Sequence, residues 1–436
     1  MSSVASTIRS QKSVLISGGS IAGPAIAWWL HRYGFKTTLV ERWSELRPGG
    51  QNIDVTNQGL EVIRKMDLES TILAANTGEK GTVLTDVKGN NRLVLPLDQG
   101  FSFTNDTEIL RGEFARILYE ATIKNTEWRF GDQINALEEI TGDNANDYGG
   151  VNVEFKSGKK EMFDLVVIAD GVGSRTRKLA FSGDEVRFKA LGCYIAYFTI
   201  PLDPTEPRSD QWIVTHLPGK RCLNFRPDGQ GTTKAFLMWI ADKPSGAERR
   251  PMGEQIEFIK EVLLSGEDLS SPLVDRVVKG LETTDDVYLE WSGQIKAKRL
   301  STPGGHIGMI GDAAYCGTAM SGGGTTLSLV GAYMLASELA KHADNPKAGF
   351  DAYEKWMAPF AANIQKLVPG VPHIALPATS WGIHVFHAVI RLVAWISRSK
   401  PLRWAAGFVF KDDRSEVPLP DYKEYERIVD AGKGNE

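Results

Sequence analysis

Apolar and polar positions near the N-terminus alternate as strand, turn, helix, strand. Ser13-Val14-Leu15-Ile16 is short and β-rich, Gly18 to Gly23 is a glycine turn, and residues 25–33 read as a helix opened by Pro24. Proline costs little there, because the first amide hydrogens of a helix have no intrahelical acceptor. Gly34 ends the helix, and residues 36–40 form a second strand that closes on Glu41. A βαβ beginning of this kind implies parallel strands joined by right-handed crossovers. Farther along, residues 59–66 and 113–122 read as helices. Residues 83–97, broken at Lys88-Gly89-Asn90-Asn91, read as a hairpin. Residues 151–155 and 161–168, joined across Lys156-Ser157-Gly158-Lys159, read as another, whose second strand runs into Ala169-Asp170-Gly171.

From about residue 183 to 295 the pattern changes. Runs at 194–200, 212–216, 222–225 and 234–240 carry the strand signal around turns at Pro218-Gly219-Lys220 and Pro227-Asp228-Gly229. Residues 255–264 and 271–279 read as helices, so this stretch is expected to be a predominantly antiparallel sheet with two helices. The nucleotide-fold pattern returns at 306–310, and the last third is mainly helical from 325–342 onward. Residues 381–396, interrupted by Arg391, read as an amphipathic helix that packs on the body of the protein rather than on a membrane surface.

A chain of 436 residues exceeds the usual size of one hydrophobic core and is expected to form two packed domains. Its apolar share of 42% and charged share of 24% are those of an ordinary globular protein, and a net charge of −4 supplies no basic field for nucleic acid. Cys193, Cys222 and Cys316 stand far apart without a CxxC pair, which supports neither a disulfide framework nor a zinc site. Reduced, buried thiols in a cytoplasmic protein are expected. Residues 1–12 are polar and lack the apolar core of a signal peptide, and no run of 18 uncharged apolar residues predicts a transmembrane helix.

The turn at Gly18 follows a strand and opens a helix, the context in which small residues admit a pyrophosphate close to the backbone and a helix N-terminus offers amide hydrogens to it. Gly18 and Gly23 match the first and last positions of G-x-G-x-x-G, Ser20 stands at the middle one, and Ile21 and Ala22 complete the turn. Glu41 ends the second strand 18 residues beyond Gly23, where a carboxylate can hold ribose hydroxyls. Gly311-Asp312-Ala313-Ala314 follows the strand at 306–310. Gly322-Gly323-Gly324-Thr325-Thr326 then leads into a long helix, either as an anion- or carbonyl-binding cap or as a flexible turn.

Taken in order, the Gly18 turn with Glu41, the segment Asp170-Gly171-Val172-Gly173-Ser174-Arg175-Thr176-Arg177, and Gly311-Asp312-Ala313-Ala314 resemble the three fingerprints of the single-component flavoprotein aromatic hydroxylases. This is the family of p-hydroxybenzoate hydroxylase, salicylate hydroxylase and the tetracycline-inactivating monooxygenase. The resemblance covers residues 13–340. It implies an α/β fold: a Rossmann-like FAD-binding domain (1–80, 100–182 and 296–370), an inserted antiparallel-sheet substrate domain (81–99 and 183–295), and a helical C-terminal segment (371–436).

It also implies roles residue by residue. Gly18, Ser20, Ile21, Ala22 and Gly23 would surround the FAD pyrophosphate. Glu41, with Arg42 beside it, would hold the adenosine ribose, and Asp170 stands in the second fingerprint. Asp312 would meet the ribityl and pyrophosphate side, and Gly322, Gly323, Gly324 and Thr325 the isoalloxazine. Arg111 resembles an FAD-contacting arginine, Asp54 a flavin-contacting acid, and Arg47 a residue that serves NADPH. Taken as residues, Arg111, Asp54 and Arg47 are also compatible with solvated surface charges. Tyr315-Cys316-Gly317-Thr318-Ala319 departs from relatives that carry a histidine and prolines there, and Cys316 reads as a buried, unreactive thiol.

The implied cycle is sequential: NADH or NADPH reduces FAD, dioxygen adds to give a C4a-hydroperoxide, and oxygen passes to an aromatic or polyketide-like small molecule by hydroxylation or epoxidation. A flavoprotein that binds FAD and ligand without turnover is an alternative. So is a flavin-dependent halogenase, although the W-x-W-x-I-P segment of those enzymes is missing. Tyr194, Tyr197, Phe198, Trp212, Phe225 and Trp239 read as core by default, and His216 as a lone histidine. No catalytic residue and no metal ligand is assigned. The expected assembly is a monomer or homodimer.

Overall fold

β1 (Ser13–Ser17) is buried along nearly its whole length, as a strand covered on both faces must be. It pairs in parallel with β2 (Lys36–Glu41) and β11 (Leu165–Ile168). β7 (Thr126–Phe130) extends the sheet beyond β2 and β17 (Ile307–Met309) beyond β11, giving the order β17-β11-β1-β2-β7. The computed structural model describes residues 11–47, 49–97, 104, 107–141, 149–203, 210–266, 271–398 and 417–427. Most of the polar leader at 1–12 and part of the 371–436 segment lie outside these residues.

α1 (Ala22–Arg32) and α9 (Gly324–Lys341) cross beside this sheet, with the Trp29 and Tyr333 rings 4.7 Å apart and Tyr33 Oη 2.8 Å from Ser337 Oγ. α9 is buried from Thr325 to Leu339, which explains an apolar sequence with little sidedness. α2 (Asn57–Lys65), α3 (Glu69–Ala74), α4 (Arg111–Thr122), α5 (Thr176–Ala180), α8 (Asp312–Tyr315) and α10 (Pro346–Ile364) complete this layer.

The run expected as one strand at 161–168 is two. β10 (Lys160–Phe163) stays with β9 (Gly150–Phe155) and β8 (Ile134–Ile140) in an antiparallel three-stranded sheet, while β11 enters the parallel sheet. Asp164 makes the break: its Oδ2 accepts from the Ser13 amide at 2.7 Å and the Ser13 hydroxyl at 2.6 Å. One polar residue inside a continuous apolar run thus hands the chain from one sheet to the other.

The largest sheet has the order β16 (Val287–Ala297), β12 (Val186–Pro201), β15 (Thr232–Ile240), β14 (Arg221–Pro227), β13 (Trp212–Leu217), β4 (Gly81–Thr85), β5 (Asn91–Pro96). It is antiparallel except between β13 and β4, so the hairpin near residue 83 joins it from a distant part of the chain. β15 alternates strictly between buried and half-buried positions. Leu237 and Trp239 pack with Ile259 of α6 (Met252–Leu264) and with Val274 and Val277 of α7 (Pro272–Leu281). The other face looks toward the parallel-sheet layer. β3 (Asn52–Asp54) and β6 (Glu108–Leu110) form a short ribbon at the junction.

α11 (Ser380–Arg398) lies against β5 and β13 and meets the expectation of a helical C-terminal segment. The chain described after it is not helical beyond a single turn at Lys423–Tyr425. This return packs on α1 and α9 through the Arg32–Glu426 ion pair at 2.7 Å and a bond from Tyr333 Oη to Pro420 O at 2.7 Å.

Candidate functional site

Gly18 has φ of +110°, and a Cβ there would lie 2.6 Å from Ala169 O at the end of β11. Only glycine suits both the dihedral and the approach. A Cβ on Gly23 would stand 1.9 Å from Gly18 O, so α1 is seated directly on the turn. The Glu41 carboxylate is held at the turn by the Gly19 amide, which donates to Oε2 at 2.7 Å, and by the Trp43 amide, which donates to Oε1 at 3.1 Å.

The second motif folds around Asp170, which accepts from the Ser174 hydroxyl and from the Thr176 amide at 3.3 Å. Arg177 reaches from this loop into the third motif. Its Nη1 donates to Ala313 O at 2.7 Å and its Nη2 to Val172 O at 2.9 Å. Burial pushes the carboxyls of Asp170 and Asp312 above their ordinary values, while the Arg111 guanidinium pulls Asp312 the other way. Arg111 opens α4, and its amide donates to Gln51 O at 3.0 Å. The loop after Asp312 is clasped by Gln365 at the end of α10. Its Nε2 donates to the carbonyls of Ile295, Tyr315 and Cys316 at 2.8, 2.9 and 2.9 Å, while Lys296 Nζ donates to its Oε1 at 2.6 Å.

These loops open on one cavity of about 1510 Å³ that extends to the face of the seven-stranded sheet opposite α6 and α7. Gly18, Ser20, Ile21, Ala22, Glu41, Arg42, Arg47, Asp54, Arg111, Asp170, Asp312, Gly322, Gly324 and Thr325 all contribute to its wall. Gly23 and Gly323 do not. They are packing positions: a Cβ on Gly323 would lie 2.2 Å from Ile364 Cγ2 of α10. The volume exceeds the roughly 300–1,000 Å³ of a drug-sized site, which leaves room for a dinucleotide and a second molecule. Cys316 also reaches the wall, but burial raises its thiol well above its ordinary value and makes it a poor nucleophile.

Sequence reasoning missed three groupings here. The first is on β16, where Leu289 joins the core beneath the sheet while Tyr288 and Glu290 face the cavity beside Tyr197 and Ile195 of β12. Burial, with the Asp312 charge adding to it, raises the Glu290 carboxyl to about 7, and the Tyr288 hydroxyl and Arg111 oppose the shift. Glu290 therefore changes charge near neutral pH inside the cavity. Its signal was one acid in the apolar run Val287-Tyr288-Leu289-Glu290-Trp291.

The second is a buried ion cluster. Arg226 grips Glu79 through Nε and Nη2, both at 2.9 Å, donates also to Glu108, and lies 4.2 Å from the centre of the Trp212 ring. Asn52 Nδ2 and Thr104 Oγ1 donate to Glu108 at 2.6 and 2.7 Å. With two carboxylates sharing one guanidinium, burial above all raises Glu108 to about 8. The cluster binds β14 of the large sheet to the β3–β6 ribbon.

The third corrects the lone reading of His216. Its Nε2 lies 3.1 Å from Ala375 O, and its Nδ1 lies 3.1 Å from His387 Nε2 of α11. The carbonyl can only accept, so His216 carries its proton on Nε2 and His387 donates to Nδ1. Burial lowers both histidines to about 4. His387 adds to the shift of His216, and His384, Arg391 and Arg92 add to that of His387. Folded pKa values below the ordinary 6.5 mean that the unfolded chain binds more protons. The pair's contribution is thus complete above 6.5 and is lost as pH falls toward 4. Thermal melts across this interval are expected to show a shallower fall in His387→Gln than in the wild type. An unchanged slope would assign the acid sensitivity elsewhere.

The FAD binding domain family matches residues 11–367, and the chain belongs to that family. Its relatives are FAD-dependent monooxygenases, and the chain is one of that class. The monooxygenase CTB7 of Cercospora beticola is 31% identical over 428 residues, covering 95% of this chain and 98% of that protein. A flavin-dependent monooxygenase from an unknown prokaryotic organism is 33% identical, covering 80% of this chain and 86% of its own length. Among solved structures, the tetracycline destructase Tet(55) superposes with a TM-score of 0.73 at 28% identity, covering 89% of this chain and 97% of that one. The Klebsiella pneumoniae HpxO complexed with FAD and uric acid shares the fold at a TM-score of 0.67 and 17% identity, covering 87% and 92%.

Proposed function

We propose that the protein uses NADH or NADPH and dioxygen to hydroxylate, or epoxidise, an aromatic or polyketide-like small molecule. One observation carries the reading: the cavity that begins at the Gly18 turn ends on an aromatic sheet face bearing a titratable carboxyl. Segments 1–80, 100–182 and 296–370 hold FAD in this reading, 81–99 and 183–295 bind the substrate, and 371–436 closes the far side. The amides of Gly18 to Ala22 and the Glu41 carboxylate suit the pyrophosphate and adenosine ribose. Asp312, Arg111, Gly322, Gly324 and Thr325 suit the flavin end. Bound FAD supplies the redox chemistry, taking electrons from the nicotinamide and activating oxygen.

The chain's own residues do the rest. Tyr197, Phe236 and Tyr288 offer ring faces to a flat substrate, and the sheet and the 371–376 loop keep water from it. Glu290 can take a proton from an acidic substrate hydroxyl and return it, because its pKa is poised near neutrality. Two structures of the same fold support a small ring-shaped substrate: one is a tetracycline destructase and the other is complexed with uric acid.

The test is flavin content and turnover together. Glu41→Ala and Asp312→Ala each remove a charged hydrogen-bonding group worth about 1.5–3 kcal/mol, so FAD affinity is expected to fall about 10- to 100-fold. Wild-type flavin occupancy and affinity in both variants would defeat the cofactor assignment. Nicotinamide oxidation that a phenolic substrate does not accelerate, or that yields no oxygenated product, would leave the non-turnover reading in its place.

A further inference from the structure

β12 pairs with β15 only from Cys193 onward, so its first residues, 186–190, pair with β16 alone. Directly paired residues share a face of such a ribbon. On one face Val186 and Ala297 pack against the core of the parallel-sheet layer. On the other, Arg187 stands opposite Lys296 and Lys189 opposite Gln294. Like charges in cross-strand register repel. Burial and then the Lys189 charge hold the Lys296 ammonium below its ordinary value.

This cationic face joins the cavity through Gln365. Lys296 Nζ donates to Gln365 Oε1 at 2.6 Å, and Gln294 Nε2 donates to Gln365 O at 2.7 Å and to Gly317 O at 3.2 Å. Lys366, the next residue, is exposed and forms cavity wall with Gly293 of β16. Among the described residues no carboxylate pairs with Arg187, Lys189, Lys296 or Lys366. Glu185, an acid close by in sequence, is taken by Arg299 and by the amide and hydroxyl of Ser182. A chain of net charge −4 thus gathers four cations at the rim of its cavity and leaves them without a counter-charge. Such an arrangement attracts a polyanion.

We propose that Arg187, Lys189, Lys296 and Lys366 form a phosphate site that receives the pyrophosphate of the nicotinamide dinucleotide. The inference rests on the proposed reaction and names where that co-substrate docks. Of the reactants in that reading, dioxygen is uncharged and the substrate hydroxyl is met by an acid, Glu290. The FAD phosphates are placed at the Gly18 turn. The nicotinamide dinucleotide is the polyanion left to account for, and lysine and arginine suit its phosphates as point charge and fork. Docking there also bears on the flavin end, because Lys296 and Gln294 hold the residue that clasps the Tyr315 and Cys316 carbonyls.

The test uses the FAD-loaded protein, so that added phosphate cannot enter the flavin's own site. Lys296 is left in place because it also fixes Gln365. The double variant Lys189→Gln/Lys366→Gln is expected to need about tenfold more NADPH for half-maximal flavin reduction, the counterpart of about 1.4 kcal/mol. The wild type should show the same weakening as salt is raised. Inorganic pyrophosphate is expected to raise the melting temperature of the wild type and not that of the variant. Without any anion, Lys189→Gln alone should melt above the wild type, since it relieves the repulsion. A double variant that is reduced at wild-type NADPH concentrations, or that pyrophosphate stabilises as it does the wild type, would overturn the proposal. Wild-type flavin that neither NADH nor NADPH reduces would instead defeat the proposed function. Pyrophosphate protection lost in the double variant would then still support the phosphate site.

Discussion

Arg226→Met is expected to destabilise the protein by about 3–5 kcal/mol, because it leaves carboxylates buried without their cation. Arg226, Glu79 and Glu108 are all buried, and the guanidinium grips both acids. The deficit has a pH signature. Burial already raises Glu108 to about 8, with Arg226 opposing the shift and Glu79 and Asp54 adding to it. A raised carboxyl favours the folded state fully only below its ordinary pKa, and that contribution is lost as pH rises through the folded value. Losing Arg226 lifts Glu108 further, so the gap between variant and wild type should widen as pH passes about 8. Urea unfolding across a pH series measures both quantities, and a variant midpoint equal to the wild type throughout would remove the cluster from the account of stability.

Gly23→Ala is expected to yield protein with little bound flavin and a lowered melting temperature. Its new methyl would lie 1.9 Å from the Gly18 carbonyl oxygen, a backbone atom that cannot rotate away. Either α1 lifts or the turn deforms, at a cost of about 1–3 kcal/mol or more for an overpacked contact. Both movements displace the amides proposed to face the pyrophosphate, so FAD affinity should drop more than about tenfold, the counterpart of a loss near 1.4 kcal/mol. Gly183→Ala is the matched control, since nothing lies within 4 Å of the added carbon and the residue is not part of the cavity wall. Full flavin occupancy in Gly23→Ala would show that the turn tolerates the shift.

The features legible in the sequence were those encoded locally. The apolar strand, glycine turn and helix around Gly18 lie within about twenty consecutive residues, and the motif at Asp312 follows its strand directly. What stayed hidden depends on residues far apart in the chain. The Arg226 cluster draws on Asn52, Glu79, Thr104 and Glu108, and His216 finds His387 across 171 positions. The sheet aromatics show a subtler limit. Period-two alternation says that neighbouring positions face opposite ways, but not which way is inward. Tyr194 and Trp239 prove to be core while Tyr197 and Phe236 face the cavity, a distinction set by the side on which α6 and α7 pack. Asp164 escaped because one polar residue in an apolar run resembles a tolerated exception until its bonds to Ser13 are seen.

The strand order β17-β11-β1-β2-β7 also bears on the birth of the protein. β1 leaves the ribosome early, yet its neighbour β11 is made about 150 residues later, β17 follows beyond residue 300, and the Gln365 clasp comes later still. At about 5–20 residues per second, roughly twenty seconds to a minute separate the glycine turn from the last group that fixes the Asp312 loop. For the first part of that interval one edge of β1 lacks β11, and for most of the remainder the far edge of β11 lacks β17. The nascent chain is then a natural client for chaperones, and cofactor loading belongs to the completed polypeptide rather than to its synthesis.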